Sequence, residues 1–146
     1  MLQQTLGIIK PDAMVAGHAG HIISMIEAST LRPAALKLLH LDTTQAKEFY
    51  SEHAGKPFYE GLVDYMSSTP VVVMVLEGDN AIKAWRELMG ATNPADAAAG
   101  TIRRLYGTPP NPGEVVRNAT HGSDSPRTAE REIGFFFREE EIVGSR

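Results

Sequence analysis

The sequence predicts an α+β fold of βαββαβ order, and three observations predict it. Short β-type runs alternate with segments of helical periodicity. The run Val71-Val72-Val73-Met74-Val75-Leu76 is apolar at every position, as suits a central strand covered on both faces. The 146 residues are near the modal size of one domain, enough for folding to bury roughly 68–70% of the unfolded surface. Together these fit a ferredoxin-like sandwich over residues 1–146, a four-stranded antiparallel sheet with additional helices and a long loop before the last strand.

Each element has its own signal. Thr5 to Ile9 is an apolar run stopped by Lys10-Pro11-Asp12, read as a turn because proline ends ladder donation. His21 to Ala28 sets Ile22, Ile23 and Ile26 at helical spacing, and Ala34 to Leu41 is a mostly apolar segment of strand length. Asp42 with Gln45 three residues on marks an N-cap before a helix from Thr43 to His53, and Gly61 to Met66 is a further helical piece. Pro70 opens the central strand. Asp79 is the expected cap of a helix in which Ile82, Trp85 and Met89 share a face and Gly90 ends the run. Gly90 to Glu114 reads as a long Gly/Pro/Ala-rich connection, a length that is usually functional or disordered. Val115 and Val116 then lead toward His121 as the final strand. Ser125 caps a last helix with Pro126 at its first position.

Composition removes several function classes. Net charge is −4, which argues against broad nucleic-acid affinity, since that rests on an extended basic surface. There is no cysteine, which excludes disulfides and thiolate metal sites, and no apolar run is long enough to span a bilayer. Residues Met1 to Leu6 lack the basic-then-hydrophobic pattern of a secretory signal, so a cytoplasmic location is expected.

The chemistry centres on Asn118-Ala119-Thr120-His121-Gly122-Ser123-Asp124-Ser125, which leaves one imidazole among small and hydrogen-bonding residues. A histidine attacks through a neutral ring nitrogen, so its other nitrogen must donate to an acceptor that fixes the tautomer. Glu132, in the first turns of the last helix, can be that acceptor. Taken alone, His121 can equally be a strand end in a Gly-Ser-Asp turn. Neither glycine-rich phosphate-binding pattern occurs, so a bound polyphosphate has to be gripped by side chains such as Lys10, Arg86 and Arg103. Each of these, alone, also reads as a solvated surface charge.

The segments Thr5-Leu6-Gly7-Ile8-Ile9-Lys10-Pro11-Asp12, Gly90-Ala91-Thr92-Asn93-Pro94-Ala95-Asp96, Gly100-Thr101-Ile102-Arg103 and the histidine segment, in this order, resemble the nucleoside diphosphate kinase family almost from end to end. The resemblance implies a phosphotransferase in which His121 takes the γ-phosphoryl group of a nucleoside triphosphate through Nδ1 and passes it to a nucleoside diphosphate. ATP and GDP are typical of such substrates. It implies that Glu132 holds the opposite nitrogen protonated, with Ser123 in the same network. Lys10, Arg86, Thr92 and Arg103 match phosphate-contacting positions, Lys10 and Asn118 sugar-contacting ones, and Tyr50 the wall of the phosphate pocket. Phe58 matches the base-stacking position; stacking discriminates weakly, so broad base tolerance follows. Mg²⁺ is implied as a bridge between nucleotide phosphates, with few protein ligands. A homo-oligomer built on a dimer is implied, with dimer, tetramer and hexamer all open.

The chain departs from the family between Arg103 and Asn118, where it is several residues longer around Gly107 to Gly113; this bears on subunit packing more than on the catalytic residues that flank it. Phe49, Tyr59 and Tyr65 read as core or interface aromatics. His18 and His21 lack an evident third metal ligand, and His40 and His53 belong to no constellation. Arg138 to Glu141 reads as a solvated acidic run. A non-catalytic nucleotide- or RNA-binding module of the same fold is the competing reading, but it leaves His121 unexplained and lacks the aromatic-basic pattern of RNA-binding sheets.

Overall fold

The computed structural model describes residues 2–143; residue 1 and residues 144–146, the ends of the expected 1–146 domain, lie outside the described residues. The strands are β1 (Leu2–Ile9), β2 (Arg32–Leu39), β3 (Val71–Asp79) and β4 (Thr120–Gly122). They pair antiparallel in the order β2-β3-β1-β4, which places β1 and β3 at the centre and gives the ferredoxin-like α+β architecture. The helices are α1 (Pro11–Val15), α2 (Ala19–Ala28), α3 (Thr43–Phe49), α4 (Tyr59–Met66), α5 (Ala81–Met89), α6 (Ile102–Tyr106) and α7 (Pro126–Phe136).

The central strand shows why an all-apolar run belongs in the middle. Val71, Val73 and Val75 enter one core with Phe49, Val63, Met66 and Phe136, while Val72, Met74 and Leu76 enter the other with Ile22, Ile26, Trp85 and Met89. The strand's period of two thus feeds both faces of the sheet. β2 is an edge strand whose register shifts between Pro33 and Ala35, a position that tolerates a residue without a backbone donor. Among the described residues no helix is long and apolar enough to cross a membrane.

Several elements differ from expectation. Lys10-Pro11-Asp12 opens α1 instead of forming a plain turn, because Pro11 takes the first helical position, where its missing N–H costs nothing. β2 begins and ends two residues earlier than expected, leaving Leu41 as a buried plug outside it. The predicted helix to His53 breaks at Tyr50 into a 3-10 turn, Ser51–His53. Asp79 closes β3, and the cap position of α5 is Asn80 in the left-handed region at φ 48°, with Gln3 Oε1 accepting the Ile82 N–H. The Gly90 to Glu114 connection contains a 3-10 turn at Pro94–Asp96 and α6, capped by Thr101. Val115 and Val116 lie outside β4, and the preceding segment pairs in a single bridge between Thr108 and Arg117. Glu141, expected as solvated, pairs with Lys37 of β2 at 3.2 Å. The expected caps at Asp42–Gln45 and Ser125 are both present.

Candidate active site

β4 has three residues, and their alternation aims the site. A Cβ on Gly122 would lie 2.6 Å from both Trp85 and Met89, so this face of the strand is pressed against the fully buried indole. His121, one residue earlier, therefore projects from the opposite face. Trp85 Nε1 donates to the His121 carbonyl at 3.0 Å and fixes the backbone beneath the ring.

On that opposite face the imidazole meets α7. His121 Nε2 lies 2.9 Å from Glu132 Oε1, and Ser123 Oγ donates to the same oxygen at 2.7 Å. Burial pushes the Glu132 carboxyl up, but the His121 hydrogen bond and charge, Ser123 and Arg131 outweigh it and hold the group below its ordinary value. An ionised carboxylate only accepts, so Nε2 carries the proton, and in the neutral ring it is Nδ1 that presents a lone pair. The ring is walled by Phe49 and Tyr50, with centroids 5.6 and 6.4 Å away in edge-on contact.

The cations converge from three elements. Lys10, at the end of β1, is buried and donates to Asn118 Oδ1 at 2.9 Å. Burial and then the charge of Arg103 pull its ammonium down to about 8, against a smaller upward pull from Asp12. Arg103 is 7% exposed and donates to the carbonyls of Asn118, Gly90 and Thr120 at 3.3, 3.1 and 2.8 Å. Burial and then Arg86 bring it down to about 10, so it stays charged at neutral pH. Arg86, on α5, is half-exposed and holds Asp124 at 2.8 Å. Asn118 Nδ2 donates to the Thr92 carbonyl at 3.0 Å.

These groups line one cavity of about 210 Å³: Lys10, Tyr50, Arg86, Thr92, Arg103, Asn118, His121 and Glu132 are all on its wall. Tyr50 Oη is buried there without a hydrogen-bond partner, and burial followed by the Glu132 charge pushes its pKa up, so it remains a donor facing the cavity. A buried donor without a partner asks for an acceptor that a ligand would bring. A larger open depression of about 940 Å³ shares Arg86, Thr92 and Asp124 with this cavity, but neither His121 nor Glu132 lines it. The smaller cavity is thus the one that gathers most of the residues the sequence singled out.

Phe58 stands outside the wall, 47% exposed, with its ring 5.3 Å from that of His53. His53, Glu52, Phe49 and Asp124 also line the cavity, although sequence reasoning gave none of them a role there. For His53 the usable signal was its spacing from Tyr50, since three residues on a 3-10 turn return to the same side. Tyr59 and Tyr65 bond to the Lys47 carbonyl and to Asp12 respectively and do not line the cavity. His18 and His21 pack against the Tyr106 ring at 4.6 and 6.0 Å. Among the described residues no group of three or more His, Cys, Asp or Glu is placed to hold a metal.

The sequence model of the family described as Nucleoside diphosphate kinase matches residues 3–142. A nucleoside diphosphate kinase of Syntrophotalea carbinolica is 55% identical over 136 residues, covering 93% of this chain and 96% of that protein. The Borrelia burgdorferi nucleoside-diphosphate kinase, solved as a transition-state mimic with vanadate and ADP, superposes with a TM-score of 0.92 at 32% identity, over 99% of this chain and 92% of that one. The Halobacterium salinarum enzyme in complex with CDP gives 0.91 at 39% identity, over 100% and 94%.

Proposed function

The chain belongs to the nucleoside diphosphate kinase family and is a phosphotransferase acting between nucleoside triphosphates and diphosphates, and from that premise we propose that His121 carries the phosphoryl group between them. The observation that supports this most is the pairing of Nε2 with a buried, ionised Glu132, which leaves Nδ1 as the free nucleophile. In the first half-reaction the Nδ1 lone pair forms a bond to the γ-phosphorus. The bond from that phosphorus to the bridging oxygen breaks, and the diphosphate leaves with the electron pair. The ring becomes cationic without losing a proton, and Glu132 stabilises that charge. In the second half-reaction a terminal oxygen of another diphosphate attacks the phosphorus, and the P–N bond returns its electrons to His121.

Lys10, Arg86, Arg103, Thr92 and Tyr50 hold and neutralise the phosphates in this reading, Lys10 and Asn118 hold the sugar, and Phe58 stacks the base at the mouth. Such transfer asks the protein mainly for alignment and charge. Mg²⁺ would supply neutralisation of part of the phosphate charge. Besides Glu132 the cavity wall carries the carboxylates of Asp124 and Glu52, a sparse set that suits a cation held chiefly by phosphate oxygens.

Incubation with γ-labelled ATP tests the proposal. An acid-labile, base-stable label is expected on His121, and it should chase into GTP and CTP alike when GDP or CDP is added. A label on any other residue would overturn the assignment, and a chase confined to one base would overturn the stacking role of Phe58.

Lys10 gives a second expectation, in pH. Its folded-state value of about 8 lies below the ordinary 10.5, so between these values the unfolded chain holds the proton that the folded chain has lost. The nucleotide-free protein should therefore gain stability relative to Lys10→Met as pH rises through this window, while its nucleotide affinity falls. Parallel thermal melts and binding isotherms measure both; a common sign in the two would show that Lys10 does not meet the phosphates.

The chain is also proposed to form a homo-oligomer built on a dimer, supported by edge strand β2, which exposes Leu36 and Leu38 at 46% and 64%. Sedimentation should give at least a dimer that Leu38→Lys dissociates; a wild-type monomer would exclude it.

A further inference from the structure

Ala119 is fully buried and sits at φ 71°, in the left-handed region that an alanine side chain disfavours. The Thr120 N–H donates back to the Asn118 carbonyl at 2.8 Å, closing a γ-turn of the rare, strained positive-φ kind around Ala119. The turn separates two groups of the site, Asn118 before it and His121 after it. Strain of this kind persists where the surroundings over-determine it. Here the surroundings are specific: the Lys10 N–H donates to the Ala119 carbonyl at 2.8 Å, and the Ala119 N–H donates to Asp12 Oδ2 at 3.1 Å. The other oxygen of Asp12 accepts from Tyr65 Oη on α4, whose ring carries the Arg117 guanidinium 5.9 Å from its centroid. Neither Asp12 nor Tyr65 lines the cavity, so neither touches the substrate.

We propose that Tyr65 and Asp12 are positioning residues for phosphoryl transfer: the tyrosine locks the carboxylate, and the carboxylate holds the strained turn at Ala119 that aims Asn118 and His121 into one cavity. The first strand's end thus sets the geometry of the last strand's start. Burial, followed by the Asp12 hydrogen bond, pushes the Tyr65 hydroxyl up, so it remains a donor to Asp12 across the physiological range. The inference rests on the reading of His121 as the phosphoryl carrier.

Tyr65→Phe isolates the clamp, because it leaves the Asp12 charge, which also supports Lys10, in place. The single-turnover rate of His121 phosphorylation by labelled ATP should fall by about tenfold with nucleotide affinity little changed, as expected when alignment and not binding is lost. Glycine takes positive φ without penalty, so in an Ala119→Gly background the same substitution should cost less than about threefold. Equal losses in both backgrounds would sink the proposal, as would a lowered melting temperature with an unchanged rate. If Tyr65→Phe does not fold, Asp12→Asn in both backgrounds applies the same comparison. A wild-type protein that takes no label on His121 overturns the phosphoryl-carrier reading itself, a failure visible before any substitution is made.

Discussion

His121→Ala is expected to abolish phosphoryl transfer, a loss of roughly 10⁴-fold or more, while the protein folds as before. The two halves of this expectation come from different atoms. The side chain supplies Nδ1; His53, the other imidazole on the cavity wall, lies 3.9 Å from Glu52, too far for the hydrogen bond that holds His121 to Glu132 at 2.9 Å. The backbone carbonyl supplies the acceptor for Trp85, and alanine keeps it. Glu132 loses one partner but retains Ser123. Circular dichroism and the label assay on one preparation would check both; transfer persisting within tenfold of wild type would mean that the phosphoryl group travels by another residue.

Arg103→Lys is expected to damage both stability and transfer, although it preserves the charge. The guanidinium spans three carbonyls from two segments, Gly90 on one and Asn118 and Thr120 on the other, whereas an ammonium is a compact point charge that cannot bridge all three. Leaving one or two buried carbonyls without a donor costs about 1–3 kcal/mol each, so a loss of about 2–4 kcal/mol in denaturant unfolding is expected. Transfer should slow by about 10²-fold, the scale of losing one fixed donor to developing charge. A variant with wild-type stability and slow transfer would show that Arg103 is purely a phosphate ligand and that its carbonyl bonds are incidental.

What the sequence discloses depends on the range of the interaction concerned. The caps at Asp42 and Ser125 and the strand at Val71 to Leu76 are written in adjacent residues, and they were legible. β4 was not, because three residues carry too little periodicity; Ile8 selects Thr120–Gly122 from across the sheet, and Val115 and Val116 have more intrinsic β-propensity than the residues chosen. α6 was hidden by the glycines and prolines around it, although Thr101 was there to be read as its cap. Pro11 was ambiguous by nature, since proline both ends strands and begins helices. In the site, the tautomer argument reached Glu132 from chemistry alone. Lys10, Arg103 and Asn118 depended on the resemblance, because nothing local distinguishes a buried cation from a solvated one. Asp124 stood in the quoted histidine segment and was given no task, since its pairing with Arg86 appears only when α5 and β4 come together.

The site is also assembled from the two ends of the chain. Lys10 bonds to Asn118 across 108 positions and Leu6 to Ser123 across 117. Contacts so distant in sequence form slowly, after loop closure over most of the molecule. On the ribosome, the first strand must therefore wait, with one edge uncovered, until the last strand emerges. During refolding, enzymatic activity should then appear together with the final cooperative step and never in an earlier phase, making turnover a clock for complete folding.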